Sequence, residues 1–290
     1  MRLILITLLI SSAVFSQQIP DTLYQPKVEK KYNSTIYVDH AHRNFHRIDN
    51  RFLPFAKVLR NAGYNVKASK HKFSNTYLKT IKTLVISNAL SENSRPPFVI
   101  PTPSAFTDEE IKNITKWVAK GGHLFLIADH MPFAGASEKL AKAFGFTFYD
   151  SFLFDENRGG IIDYTINENT LENHEVTNNI QKIVSFTGQA FKTPEKAISI
   201  LKPKEKYIIH LPDTMWRFSE KTKRLSAKGL SQGAIMQFKK GKVAIFGEAG
   251  MFTAQLAGPN QFKVGMNSPD ATENYKLLLN IVSWLTKEEK

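Results

Sequence analysis

"FTDEEIKNITKWVAKGGHLFLIAD" (residues 106–129) sets a helix signal directly before a strand signal, and that order decides the fold. Thr107 is followed three residues later by Glu110, the spacing of a capping box in which hydroxyl and carboxylate each satisfy an orphan amide. Ile111, Ile114, Trp117 and Val118 recur at helical spacing and predict a single buried stripe, and Gly121 and Gly122 stop the helix. Residues 123–130, "HLFLIADH", then run apolar without alternation, as a strand covered on both faces does. An amphipathic helix feeding a doubly covered strand is the repeating unit of a parallel sheet.

The same rhythm extends towards the N-terminus. "STIYVDH" (residues 34–40) reads as a strand with a polar end, and "RFLPFAKVLRNAG" (residues 51–63) as a helix stopped by Gly63. "YNVKAS" and the apolar run "TLVISNA" (residues 83–89) are the next strands, and "SEKLAKAFG" the next helix. Beyond about residue 151 the rhythm loosens into shorter strands, two of them joined around "KKGK" as a hairpin. "NYKLLLNIVSWL" closes the chain as an amphipathic helix. The expectation is an α/β protein with an open, mostly parallel, doubly wound sheet, flavodoxin-like, with extra strands in the C-terminal half. Residues 17–290 are expected to form one domain.

The first eighteen residues, "MRLILITLLISSAVFSQQ", have one basic residue, a short apolar run and the small Ser16. That layout predicts a signal peptide over residues 1–16 and an exported, periplasmic or secreted, mature chain. No other segment approaches the ~18 apolar residues of a membrane span, so no stable membrane insertion is expected. The chain has no cysteine, which excludes a disulfide framework and a cysteine nucleophile. Thirty-nine basic against 26 acidic residues give a net charge of +13, which suits an acidic partner. No nucleic-acid motif or concentrated basic stripe is legible, so nucleic acid is not expected as that partner.

Ligands of open α/β sheets sit at the carboxyl ends of the strands. Three such ends carry unusual groups: "VDHAHRNFHRID" (residues 38–49), Asp129 with His130, and Glu248 after "VAIFG". His40, His42, His46, Asp129 and His130 are also adequate metal-ligand types. No H-E-x-x-H pattern accompanies them, and neither a metal nor another cofactor is expected. Asp129 alternatively caps the following helix, Glu248 alternatively satisfies turn amides, and the 40–46 stretch alternatively braces the sheet. His123 reads as structural, His174 as a turn cap, and Trp216 in "TMWRF" as a sugar-stacking platform.

The helix ending "WVAKGG", the strand "HLFLIAD", the "VDHAHRNFH" stretch, "NHEVTNNI" and "GKVAIFGEAGMF…NYKLLLNIVSWL" together resemble class I glutamine-amidotransferase-like domains. The chain departs from that family in having "ADHMPFAG" where the cysteine nucleophile belongs. Among exported members it resembles the oligosaccharide dehydratases of ulvan breakdown, in polysaccharide-utilisation systems. That resemblance implies a lyase that removes water from a non-reducing-end uronic acid of an anionic oligosaccharide, leaving a 4,5-unsaturated sugar. The reaction needs a base for the C5 proton, a cation for the carboxylate and an acid for the C4 hydroxyl. On that reading His42, His130 and Glu248 are the expected catalytic groups, and Arg43, Asn44 and Asp129 the expected substrate contacts. A non-catalytic carbohydrate-binding or scaffold domain and a metal-dependent hydrolase are the alternatives.

Overall fold

The structure, a computed structural model, describes residues 18–287; the leader expected over residues 1–16 falls outside them. Its centre is a seven-stranded sheet of β1 (Thr35–Asp39), β2 (Asn65–Ser69), β3 (Thr83–Ser87), β4 (His123–Ile127), β5 (Ile198–Leu201), β6 (Gly233–Phe238) and β7 (Gly241–Phe246). The strand order is β2-β1-β3-β4-β7-β6-β5. The β1–β4 strands and β7 are parallel, and β6 and β5 add antiparallel pairs at one edge. This is the open, mostly parallel sheet that the helix–strand alternation predicted.

Helices cover both faces. One face buries Ile36, Val38, Phe125, Ile127 and Phe246 beneath α1 (Leu53–Asn61) and α5 (Asn274–Thr286). The other buries Leu84, Ile86, Leu124, Leu126 and Ile245 beneath α3 (Asp108–Ala119) and α4 (Phe133–Lys142). Complete burial of β3, β4 and β7 explains why their sequences run apolar instead of alternating. A short α2 (Asn75–Leu78) carries the chain from β2 to β3. No helix of the described residues is long and apolar enough to cross a membrane.

The capping box of α3 forms as its spacing predicted, with Thr107 and Glu110 reciprocally bonded. The buried stripe, however, is rotated. Ile114 and Val118 are buried as expected, but their companions are Glu110 and Asn113, and Ile111 and Trp117 stay partly exposed. Both polar residues have partners: Asn113 donates to the Phe73 carbonyl, and Glu110 reaches the loop after β1. Hydrophobic periodicity misplaces the stripe because it gives a buried carboxylate no value until its partner is known. Small strands also went unseen, among them Phe152–Phe154, which pairs with Ile208–Leu211 and leads on to Lys223–Ser226 as a three-stranded flap.

Strand register sets the site. Ser87 pairs with Ile127, and Ile127 with Phe246, so β3, β4 and β7 end level with one another. Asn88, Asp129, His130 and Glu248 therefore emerge side by side along the carboxyl edge, with Asp39 at the end of β1 beside them.

Candidate functional site

The loop after β1 is built around His42. Its ring is fully buried, with Nδ1 2.9 Å from Asp39 Oδ2 and Nε2 2.9 Å from Glu110 Oε1. Phe73 stacks on the ring at 4.5 Å and Phe106 packs at 4.9 Å. Burial alone disfavours the imidazolium, but hydrogen bonds to Asp39 and Glu110 outweigh it and raise the His42 pKa. Glu110 responds in the opposite sense: burial raises it, and bonds from His42, Thr107 and Phe73 win and lower it to about 2. His42 thus has no nitrogen left for a substrate. It locks α3 to the end of β1.

The neighbours expected to bind substrate are consumed in the same loop. Arg43, at φ 46°, gives its Nη1 to the carbonyls of Ser91, Glu92 and Ser94. Asn44 is buried; its Nδ2 donates to Asp39 Oδ2 and the Ser87 carbonyl, and its Oδ1 accepts from the His42 amide. His40 accepts from the Ile48 amide, and His46 lies fully buried against Phe52 and Ser87 Oγ. Burial, helped by Arg51 and His130, lowers His46 to about 3, so it is neutral. The stretch is a brace.

Asp129, His130 and Glu248 do come together. The Asp129 amide donates to Asn88 Oδ1, its Oδ1 accepts from the His130 amide, and its Oδ2 lies 3.4 Å from the Ala249 amide. Asn88 holds φ 46°, a left-handed conformation that asparagine tolerates better than most residues. Gln189, absent from the sequence-based expectations, ties the two strand ends together. Its Nε2 donates to the Ala128 carbonyl and its amide to the Gly247 carbonyl.

His130 presents a defined tautomer. Its Nδ1 lies 2.6 Å from the Met131 carbonyl, which only accepts, so Nδ1 carries the proton. Nε2 makes no hydrogen bond among the described residues and lies 4.0 Å from Asp129 Oδ1, in a side chain 9 % accessible. Phe152 stacks on the ring at 4.5 Å, and Trp216, at φ 60° in the loop after Ile208–Leu211, meets it edge-on at 4.9 Å. Glu248 stands behind. Its Oε1 accepts from the Gly250 amide and its Oε2 from the Met251 amide at 2.7 Å, and 1 % of the residue is exposed. Burial and then the Asp129 charge push Glu248 well above the usual carboxylate range, against the pull of those amides. Its place is to hold the turn beneath Asp129.

One cation near His130 was missed. The Arg51 guanidinium lies 3.9 Å above the Phe45 ring, its Nε is buried without a hydrogen-bond partner, and no carboxylate pairs with it among the described residues. Phe45 packs on Phe133, which packs on His130, so Arg51 and His130 flank the same aromatic wall. In the sequence Arg51 is one unremarked basic residue ahead of α1, and nothing in its spacing distinguishes it from Arg47. No group of three or more His, Asp or Glu side chains among the described residues is disposed to hold a metal ion.

No protein-family profile matches the sequence, and no curated protein does. Among solved structures, the mmIFT52 N-terminal domain superposes with a TM-score of 0.59 at 14% identity, over 88% of this chain and 99% of that one. A cytoplasmic protein from Salmonella typhimurium gives 0.49 at 13% identity, over 88% and 100%. A ThuA-like protein from Bacteroides uniformis gives 0.47 at 13% identity, over 92% and 96%. At such identities the first likeness shows a shared α/β fold and says nothing of activity.

Proposed function

We propose that the protein is an exported carbohydrate-active lyase that dehydrates a non-reducing-end uronic acid of an anionic oligosaccharide, such as a sulfated ulvan fragment. The observation that carries this reading is one aromatic wall bearing both His130, its ring oriented by the Met131 carbonyl, and an Arg51 guanidinium with no carboxylate partner among the described residues. A proton α to a carboxylate becomes acidic only where the carboxylate charge is neutralised, and an unpaired arginine supplies that by a bidentate contact. His130 Nε2 takes the C5 proton, the electron pair forms the C4=C5 bond, and the C4–O bond breaks. The imidazolium, steadied by Asp129, returns the proton to the departing hydroxyl, and water leaves. The partly exposed Trp216 indole offers a face for a sugar ring. The leader-like N-terminus and the +13 charge support an exported protein with an acidic partner.

Two features favour a second reading, a carbohydrate-binding domain without turnover: His42 and Glu248 are both occupied internally. Incubation with defined uronate-terminated oligosaccharides, sulfated and unsulfated, separates the two. A lyase lowers product mass by one water and creates enoate absorbance. Binding with unchanged mass across the panel overturns the lyase reading, and a gain of one water points to a hydrolase.

A further inference from the structure

The opposite edge of the central sheet carries a second constellation. The amino ends of β1, β3, β4 and β7 open on a cleft of about 600 Å³ whose lining includes Lys82, Lys240, His123, Ser34 and Thr83, with no acidic side chain. A second cleft, about 450 Å³, adjoins it through Lys82 and is lined by Lys79, Lys116, Lys120 and the Trp117 indole, again without an acidic residue. The lysines at 79, 82, 116, 120 and 240 are exposed, and none pairs with a carboxylate among the described residues. Some lysines elsewhere are neutralised locally, as in Lys202–Glu172, Lys204–Glu168 and Lys228–Glu205. Five lysines without a carboxylate partner therefore line one continuous groove.

Its neutral groups suit a polyhydroxyl ligand. His123 Nδ1 accepts from the Lys242 amide at 3.2 Å, so its proton sits on Nε2 and the ring is a donor at the cleft wall. Burial, then Lys82 and Lys242, lowers its pKa to about 4, so it adds no charge. The Ser34 and Thr83 hydroxyls both donate and accept. Trp117 is fixed by its Nε1 bond to the Ile81 carbonyl and lies against Gly122, where a Cβ would stand 2.2 Å from the indole. Five-residue strands at ~3.3 Å per residue separate this groove from the His130 crevice by roughly 16 Å.

We propose that this groove binds an internal segment of a sulfated or uronate-rich polysaccharide, through unpaired lysines, hydroxyls and one indole face, separately from the crevice at the carboxyl edge. Binding in this groove does not depend on turnover at His130. A single indole is a poor match for single-stranded nucleic acid, whose sites stack several bases in succession.

Affinity electrophoresis of the full chain through gels containing dextran sulfate, polygalacturonate, neutral dextran or single-stranded DNA tests it. The charged glycans are expected to retard the protein and neutral dextran is not. Lys82→Gln/Lys240→Gln is expected to weaken retention about tenfold, as loss of two exposed ion contacts does. Lys116→Gln/Lys120→Gln, on the exposed side of α3, is expected to weaken it similarly, and His130→Ala to leave it unchanged. Unchanged retention in both lysine pairs, with thermal midpoints confirming the fold, overturns the proposal. Equal retention by neutral dextran, or stronger retention by DNA than by either charged glycan, also overturns it.

Discussion

Replacing His42 with alanine leaves the Asp39 and Glu110 carboxylates buried around an empty space, and the cost follows from the geometry. Asp39 is fully buried, Glu110 nearly so, and both lose a charged partner at 2.9 Å. Removing one member of a buried ion pair typically costs about 3–5 kcal/mol, and the hole between Phe73 and Phe106 adds to it. At roughly 2–4 °C per kcal/mol for a chain near this size, the midpoint falls by about 6–20 °C. The loss depends on pH. His42 has a raised folded pKa, so its contribution is complete below about 6.5 and fades as pH rises through the raised value. Glu110 has a lowered one, so its contribution is complete above about 4.5 and fades as pH falls towards about 2. The gap between wild type and His42→Ala should therefore be widest between these limits and narrow in alkali. Thermal unfolding followed by circular dichroism across that range measures it. A midpoint shift under about 2 °C, or a gap indifferent to alkaline pH, would refute the brace.

Turnover separates the histidines further. His130→Ala should cut turnover by about 10²–10⁴ on uronate-terminated substrates, whereas folded His42→Ala should keep it within about tenfold; the reverse order would return catalysis to His42. Arg51→Met should lower kcat/KM by about 10–150-fold on uronates, as loss of a charge-assisted contact does. An equal effect on a substrate with its carboxylate reduced to an alcohol would remove Arg51 from carboxylate recognition. Thr107→Ala opens the α3 capping box and should cost about 0.5–2 kcal/mol in urea unfolding. Gly241→Ala places a Cβ 2.2 Å from the Val118 and Gly122 carbonyls and should cost at least about 1–3 kcal/mol in the same assay.

The parallel sheet was legible in the sequence because its evidence is local. The Thr107–Glu110 spacing, the unalternating runs of β3 and β4 and the stop at Gly121 are each properties of a few consecutive residues, and all three appear in the structure. The placing of Asp129, His130 and Glu248 along one edge followed from the general rule about strand ends, once the strands were recognised. What local pattern could not supply was the occupancy of each polar atom. His42 and His130 look equivalent as histidines at strand ends. Sixty-eight positions of separation hide Glu110 from His42, and only the packing of α3 against the β1 loop brings that carboxylate to its second nitrogen. His130 escapes the same fate because its Nδ1 is satisfied one residue away, leaving Nε2 open. Arg43 and Arg51 divide in the same manner. One spends its guanidinium on three loop carbonyls, and the other keeps a buried, unbonded Nε over the Phe45 ring. Sequence determined which elements form and where their polar ends fall, because those depend on spacing and backbone chemistry. The tertiary structure alone decided which of those ends remain free to meet a ligand, because a hydrogen bond made across the fold removes a group from chemistry however suggestive its position.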